Sequence, residues 1–202
     1  MRGTGRKLGA YDMEHFYQNI HGWFDYHDLY LRALNDAPPD SHFVEVGVYQ
    51  GRSAAFMAVE IANSGKNIKF DCIDPWDGRT GTIGSYAGAG LQGFIDRMSP
   101  AKGYYNAVTG LSPEISTQYA DDSLFLVFLD GEHGYEIVQR EIAAWLPKIK
   151  SGGYLAGHDF ECGFEYPDNS RGRPLGDAVA EMLPGYELYK GELATSWLYR
   201  KP

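Results

Sequence analysis

Glu45-Val46-Gly47-Val48-Tyr49-Gln50-Gly51-Arg52-Ser53 is the stretch on which the fold turns. It closes a short apolar run over residues 42–48, rich in Val and Phe. It also opens a helix over residues 53–62, in which Phe56, Met57, Val59 and Ile61 supply an apolar side. Gly47 and Gly51 permit a tight turn and a close backbone approach, and the helix beyond presents unpaired N–H groups at its start. Ser53 is placed to cap that helix. Only two glycines occur, with three residues between them, which weakens a G-x-G-x-x-G nicotinamide-dinucleotide reading.

Outward from this unit, strand and helix patterns alternate. Before it, apolar residues recur at helical spacing over 16–34, with Gly22 as a bend and Pro38-Pro39-Asp40 as the stop. After it come a strand over 68–73, a Gly/Thr/Ser-rich loop over 77–93, a helix over 91–98 and a strand over 105–108. Ser112-Pro113-Glu114 starts a helix that ends near 121–122. Residues 124–129 are wholly apolar, as a strand covered on both faces should be. A helix over 135–149, a strand over 154–156, a helix over 175–182 and a hairpin of 186–190 with 196–200 complete the chain. The pattern predicts an α/β fold: a mostly parallel sheet, helices on both faces, and one antiparallel strand in the edge region.

Composition narrows the partners. The 202 residues suffice for one domain with its own core. Hydrophobic residues are 44% and charged residues 22%, which excludes disorder for the bulk of the chain. No apolar run approaches the roughly 18 residues of a membrane span, and no apolar stretch follows the basic residues 1–7, so no secretory signal is expected. The net charge of −9 lacks the basic face that duplex binding needs, so neither nucleic acid nor membrane is expected as a partner. Cys72 and Cys162 are too few for a disulfide framework, and residence in the cytoplasm is the simple expectation.

In such sheets ligands bind at the carboxyl ends of the strands, near the switch point. Those ends carry chemistry. The second strand ends in Asp74-Pro75-Trp76, and a carboxylate there can accept hydrogen bonds from both hydroxyls of a ribose. The fourth ends in Asp130-Gly131-Glu132-His133 and the fifth in Gly157-His158-Asp159. Two carboxylates and an imidazole at adjacent tips suit a divalent ion such as Mg²⁺; zinc lacks an evident closed four-ligand set. Each of these residues also reads, taken singly, as a turn cap or a satisfied histidine.

Together, Glu45-Val-Gly-Val-Tyr-x-Gly-x-Ser53, Ile73-Asp74-Pro75-Trp76, Leu129-Asp130-Gly-x-His133-x-Tyr135 and Gly152-Gly153-x-x-x-x-His158-Asp159 resemble a class I S-adenosylmethionine-dependent methyltransferase. The resemblance is closest to the small-molecule group that includes macrocin and other antibiotic O-methyltransferases and cephalosporin hydroxylase-like proteins. It covers residues 41–160. It implies a Rossmann-like seven-stranded sheet with an antiparallel last strand, with residues 1–40 as an arm with aromatic helices and 41–202 as the cofactor-binding domain.

The resemblance also implies roles. Glu45, Gly47, Gly51, Ser53, Asp74, Trp76, Ser112 and Asp130 would bind S-adenosylmethionine, Asp74 at the ribose and Ser112 at the adenine. Asp130 and Asp159 would hold Mg²⁺ or another divalent cation, with His158 as a third ligand or as base, and His133 as base. Catechol-type relatives place a further acidic residue and an Asn where this chain has His158-Asp159. The expected activity is O-methylation of a small hydroxylated metabolite, a sugar or natural-product hydroxyl. The alternative is a catalytically silent S-adenosylmethionine-binding module that works through a protein partner. The oligomeric state stays open between monomer and homo-oligomer.

The aromatic segment 11–31 reads as packing on the sheet ahead of a cover for the acceptor. The loop 77–93 reads as a candidate closure over the cofactor. Loop 160–174, with Arg171 and Arg173, reads equally as an anion site or as a solvated crossover.

Overall fold

The computed structural model describes residues 12–77, 90–165 and 171–202. Nine strands and six α-helices lie among them, alternating from β1 to β5. The strands are β1 (His42–Val46), β2 (Lys69–Asp74), β3 (Asn106–Thr109), β4 (Leu124–Leu129), β5 (Ile149–Gly157), β6 (Gly163–Glu165), β7 (Arg171–Pro174), β8 (Glu187–Lys190) and β9 (Thr195–Arg200). The α-helices are α1 (His27–Asp36), α2 (Arg52–Ser64), α3 (Leu91–Arg97), α4 (Ser112–Ile115), α5 (Tyr135–Trp145) and α6 (Leu175–Met182).

Seven strands form one sheet in the order β3-β2-β1-β4-β5-β9-β8, and β6 pairs with β7 separately. β1 to β5 run parallel, and β9 is antiparallel to both β5 and β8. The hairpin read at the C-terminus is thus the antiparallel part of the sheet. The order reverses between β1 and β4, which is the switch point at which a parallel sheet leaves a crevice.

The two-residue period of each strand sorts its side chains. Phe43, Phe70, Cys72, Leu126 and Phe128 face one way, onto α1, α2 and α3. Val44, Val46, Ile73, Val127 and Leu129 face the other, onto α5 and α6. The same period puts Glu45 on the Phe43 face, under α2.

Several elements differ from the sequence reading. The stretch over 16–34 divides into a 3₁₀ turn (Tyr17–Asn19) and α1, with Gly22 at φ +150° between them. The helix expected over 112–122 also divides, into α4 and a 3₁₀ turn (Ser116–Gln118). There Ser116 Oγ donates to the Pro113 carbonyl and Thr117 Oγ1 to the Glu114 carbonyl, both at 2.7 Å, and side chains that claim backbone acceptors compete with a regular helix. β5 starts at Ile149, ahead of the glycine pair, and passes it with a register shift against β4. The polar stretch 160–174 contains the β6–β7 pair. Residues 1–10 of the arm and 78–89 of the candidate closing loop lie outside the described residues.

A buried carboxylate ties the far end of the sheet together. Asp71 on β2 accepts hydrogen bonds from His42 Nε2 on β1 at 2.6 Å, from Asn106 Nδ2 on β3 at 2.8 Å and from the Tyr119 hydroxyl at 3.0 Å. Burial alone would raise this carboxyl, but the His42 and Asn106 contacts outweigh it and hold it down at about 2. A carboxyl that ionises more easily when folded than its unfolded value of about 3.9 stabilises above that pH, and the contribution disappears as the pH falls from about 4 towards 2. Asp71→Asn is therefore expected to destabilise the protein at pH 7, and the gap to wild type should narrow by about 2 kcal/mol between pH 5 and pH 2. Urea titrations across that range measure it; a constant gap would remove the carboxylate from the account.

Candidate active site

Backbone hydrogen bonds knit the carboxyl ends of the strands into one rim. The Gly47 N–H donates to the Ile73 carbonyl at 2.8 Å, the Asp130 N–H to Val46 at 2.9 Å, and the His158 N–H to Leu129 at 3.2 Å. A cavity of about 730 Å³ opens at this rim, within the usual range for small-ligand sites. Gly47, Ser53, Asp74, Ser112, Asp130, His133, His158 and Asp159 all line it.

Gly47 is required by contact and by conformation. It sits at φ +86°, and a Cβ on it would lie 2.1 Å from the Asp130 carbonyl oxygen. Gly51 closes the turn at φ +97° as the residue before α2, where a Cβ would meet the Phe94 ring at 2.9 Å. Gly51 thus takes the N-cap position, and Ser53 does not cap. The Ser53 hydroxyl donates instead to Glu45 Oε1 on the strand beneath. Burial pushes the Glu45 carboxyl up to about 8, against the pull of Ser53. Glu45 supports the turn from below and does not line the cavity.

Asp74 does two things at once. Its Oδ2 accepts from the Tyr49 N–H at 2.9 Å and its Oδ1 from the Trp76 N–H at 2.8 Å. It is nevertheless part of the cavity wall, and a carboxylate has about four acceptor positions, so it retains capacity for two hydroxyl donors. Burial raises its pKa, with the two backbone N–H bonds opposing. Trp76 turns its ring onto Phe94, 4.9 Å between centroids, and donates Nε1–H to the Tyr49 carbonyl at 3.1 Å. It does not line the cavity. Tyr49, Trp76 and Asp159 all hold positive φ, between +44° and +57°, a conformation that costs non-glycine residues free energy and persists where surroundings enforce it.

At the β4 and β5 tips an acid–imidazole network forms. His133 Nε2 lies 3.1 Å from Asp159 Oδ2, and His158 Nδ1 lies 3.3 Å from the same oxygen and 3.8 Å from Asp130 Oδ1. Asp130, His133 and Asp159 bring one ligand atom each within 4.8 Å of one another. His158 stands behind this trio, with Nε2 bonded to Asp25 Oδ1 at 2.9 Å. Burial would raise Asp159, but the His133 and His158 contacts win and hold it well below the usual carboxylate range. Burial lowers His158, yet Asp159, Asp130 and Asp25 together raise it to about 9. His133 is raised by its bond to Asp159 against burial. Asp130 is raised by burial, with the His158 charge opposing and Asp159 adding to the rise.

Sequence reasoning missed much of what surrounds the site. Asp25 accepts from His158 and from the Leu193 and Ala194 N–H groups, so it fastens the N-terminal segment to the β8–β9 turn. The Tyr26 hydroxyl donates to Asp130 Oδ2 at 3.0 Å, and its ring stacks on Phe128. The aromatic segment divides its work. Phe24, Tyr26 and Tyr30 are buried in the core, whereas His21 and a half-exposed Trp23 line the cavity. Glu141 on α5 lines it too. Asp25 and Tyr26 act across more than 100 residues and Glu141 stands on a helix that reads as plain core, so none of these three carries a local signal. Arg173, by contrast, is engaged at the surface with Asp177 and Glu181 and over the Tyr135 ring.

Comparison with known proteins agrees with this geometry. A family model described as a methyltransferase domain matches residues 44–160, more than half of the chain. The chain belongs to that family, and it is an S-adenosylmethionine-dependent methyltransferase of the class I fold. No curated protein sequence matches it. Among solved structures, the O-methyltransferase NovP is 17% identical, with 87% of this chain and 78% of that chain covered at a TM-score of 0.60. An O-methyltransferase from Bacillus cereus in complex with SAH is 13% identical, over 87% and 80%, at 0.60. An rRNA methylase from Streptococcus thermophilus is 15% identical, over 89% and 97%, also at 0.60. At these identities the likeness is one of fold. Among the described residues no helix is long and apolar enough to cross a membrane.

Gly47→Ala is expected to lower stability by about 2 kcal/mol or more, through strained φ and overlap with the Asp130 carbonyl. A folded fraction of that variant should show no S-adenosylhomocysteine binding by calorimetry. Wild-type stability together with wild-type affinity would refute the close-approach argument.

Proposed function

We propose that the protein methylates a hydroxyl of a small acceptor, an O-methyltransferase of sugar or natural-product hydroxyls with no nucleic-acid partner. One observation carries the reading: the ribose-type carboxylate Asp74 and the cluster Asp130–His133–Asp159 open into the same cavity. A cofactor held at β1 and β2 thereby faces a proton-handling and cation-competent group at β4 and β5. Trp23, with Tyr49 at 6.3 Å, offers aromatic faces to the acceptor's body. The net charge of −9 disfavours a polyanionic acceptor.

The parts divide as follows. Bound S-adenosylmethionine supplies a methyl group already activated on a sulfonium. Gly47 leaves backbone room for the methionine end, Ser53 stands at the same turn, Asp74 takes the ribose hydroxyls, and Ser112 stands at the β3 tip for the adenine. Holding the acceptor oxygen in line with the methyl is largely a positioning effect. His133 takes the acceptor proton on Nδ1, the ring nitrogen that Asp159 does not occupy, and Asp159 stabilises the imidazolium that results. His158, fixed by Asp25, orients Asp159 and Asp130 from behind.

The donor set of two carboxylates and one imidazole also fits a divalent cation, with Asp130, Asp159 and His133 as the residues that would hold it. His158 is less available because Asp25 occupies its Nε2. Such a cation would lower the pKa of a bound hydroxyl.

Calorimetry with S-adenosylmethionine and S-adenosylhomocysteine, followed by turnover on a panel of hydroxylated acceptors with EDTA or Mg²⁺, tests this. Binding and turnover are expected, and Asp74→Ala should weaken the cofactor by about 10- to 100-fold. Asp159→Asn should cut kcat by about 100-fold or more with cofactor affinity nearly unchanged. Full activity in EDTA would remove the cation and leave the His133–Asp159 pair. Binding without turnover on any acceptor would favour the silent module, and absence of binding would end both readings.

A further inference from the structure

Glu141 is an acid in an apolar position. It sits on α5 among Val138, Ile142 and Trp145, the residues that pack this helix onto the sheet, and it is 3% exposed. A leucine would suit the site by size and surroundings. Instead Glu141 Oε2 is buried with no hydrogen-bond partner among the described residues. Burial pushes the carboxyl up to about 7, with the neighbouring Ser112 side chain offsetting part of the rise. A buried polar atom without a partner is costly and calls for an explanation.

The surroundings supply one. Glu141 lines the cavity, next to Ile137 and Arg140 on the same helical face, opposite the turn Gly110–Glu114 at the β3 tip. Along the rim, β3 lies just beyond β2, so this turn follows directly on the place of Asp74. A nucleoside whose ribose is held by Asp74 therefore projects its base between the β3 turn and α5. Ser112 is spoken for in part: its Oγ accepts the Trp145 indole N–H at 2.9 Å, which leaves its hydroxyl proton to point at Glu141.

We propose that Glu141 reads the base of the bound cofactor, its free oxygen accepting the exocyclic amino N–H of adenine. The assignment rests on the cavity's being the S-adenosylmethionine site. Either protonation state of a carboxyl keeps an oxygen able to accept that N–H. The partner missing from the protein is then supplied by the ligand, and the acid is kept for recognition at a cost to stability.

The test pairs the ligand change with the residue change. Binding of S-adenosylhomocysteine and of its analogue lacking the 6-amino group is measured by calorimetry for wild type, Glu141→Gln and Glu141→Leu. Wild type should lose about tenfold in affinity when the amino group is removed. Glu141→Gln should keep that ratio through its amide oxygen. Glu141→Leu should bind both ligands alike and melt at or above the wild-type temperature, since it removes the orphaned oxygen. Equal wild-type affinities for the two ligands would overturn the proposal whether or not the variants fold, and so would an undiminished ratio in Glu141→Leu; in both cases the cofactor site itself would stand. Failure of wild type to bind S-adenosylhomocysteine would instead bring down the cofactor reading and this one with it.

Discussion

The constraint on which the site depends is the meeting of two backbones at the switch point. The turn after β1 passes so near the end of β4 that Gly47 has no room for a methyl group beside the Asp130 carbonyl. This proximity follows from parallel pairing: β1 lies between β2 and β4, and each strand end donates to its neighbour's last carbonyl. Because the sheet order reverses there, the connections leave in opposite directions and the crevice stays open. Asp74, Asp130 and the turn before α2 converge on the cavity because their strands are in register. No side chain had to be brought there by a long loop.

Above that rim the electrostatics are arranged around one oxygen atom. Asp159 Oδ2 meets both His133 and His158, and Asp159 is held ionised by them. Asp130 and Asp25 then share the charge of His158. Three carboxylates and two imidazoles at this density stay together because opposite charges alternate through the network; an unpaired member would carry a full desolvation penalty. The arrangement also explains why His158 suits a supporting role. Its Nε2 faces Asp25, away from the trio that shares the cavity, whereas His133 is exposed enough to meet a ligand. Buried acids away from the network follow a different logic: Glu45 and Glu141 each keep one oxygen without a partner, but Glu45 is sealed under α2 with Ser53 on its other oxygen, whereas Glu141 lines the cavity.

The strands were legible because their chemistry is local. The apolar run 124–129 needs covering on both faces, and the Gly47 and Gly51 turn can only be tight, so both are found where the periodicity places them. Strand ends are points in the sequence, so Asp74, Asp130, His158 and Asp159 were readable as rim residues once a parallel sheet was inferred. Where a side chain chooses between local partners, sequence reasoning went astray. Ser53 has the chemistry of a cap, yet α2 starts at Arg52 with Gly51 in the cap position, so Ser53 lies within the first turn and its hydroxyl goes to Glu45. Ser116 and Thr117 turn back on carbonyls and interrupt the expected helix.

The amino-acid sequence by itself determined the alternation of strands and helices, the buried centre of the sheet, and which charged residues stand at strand ends. Those properties depend on neighbours within a few positions, through side-chain period and glycine freedom. Only the tertiary structure decided that Asp25 and Tyr26 bond to His158 and Asp130, that Trp23 reaches the same cavity as those two, that His133 rather than His158 completes the cluster with Asp130 and Asp159, and that Glu141 faces the β3 turn. Such pairings span up to 169 residues. They arise from packing the N-terminal segment and α5 against opposite faces of one sheet, and no short-range pattern encodes that meeting.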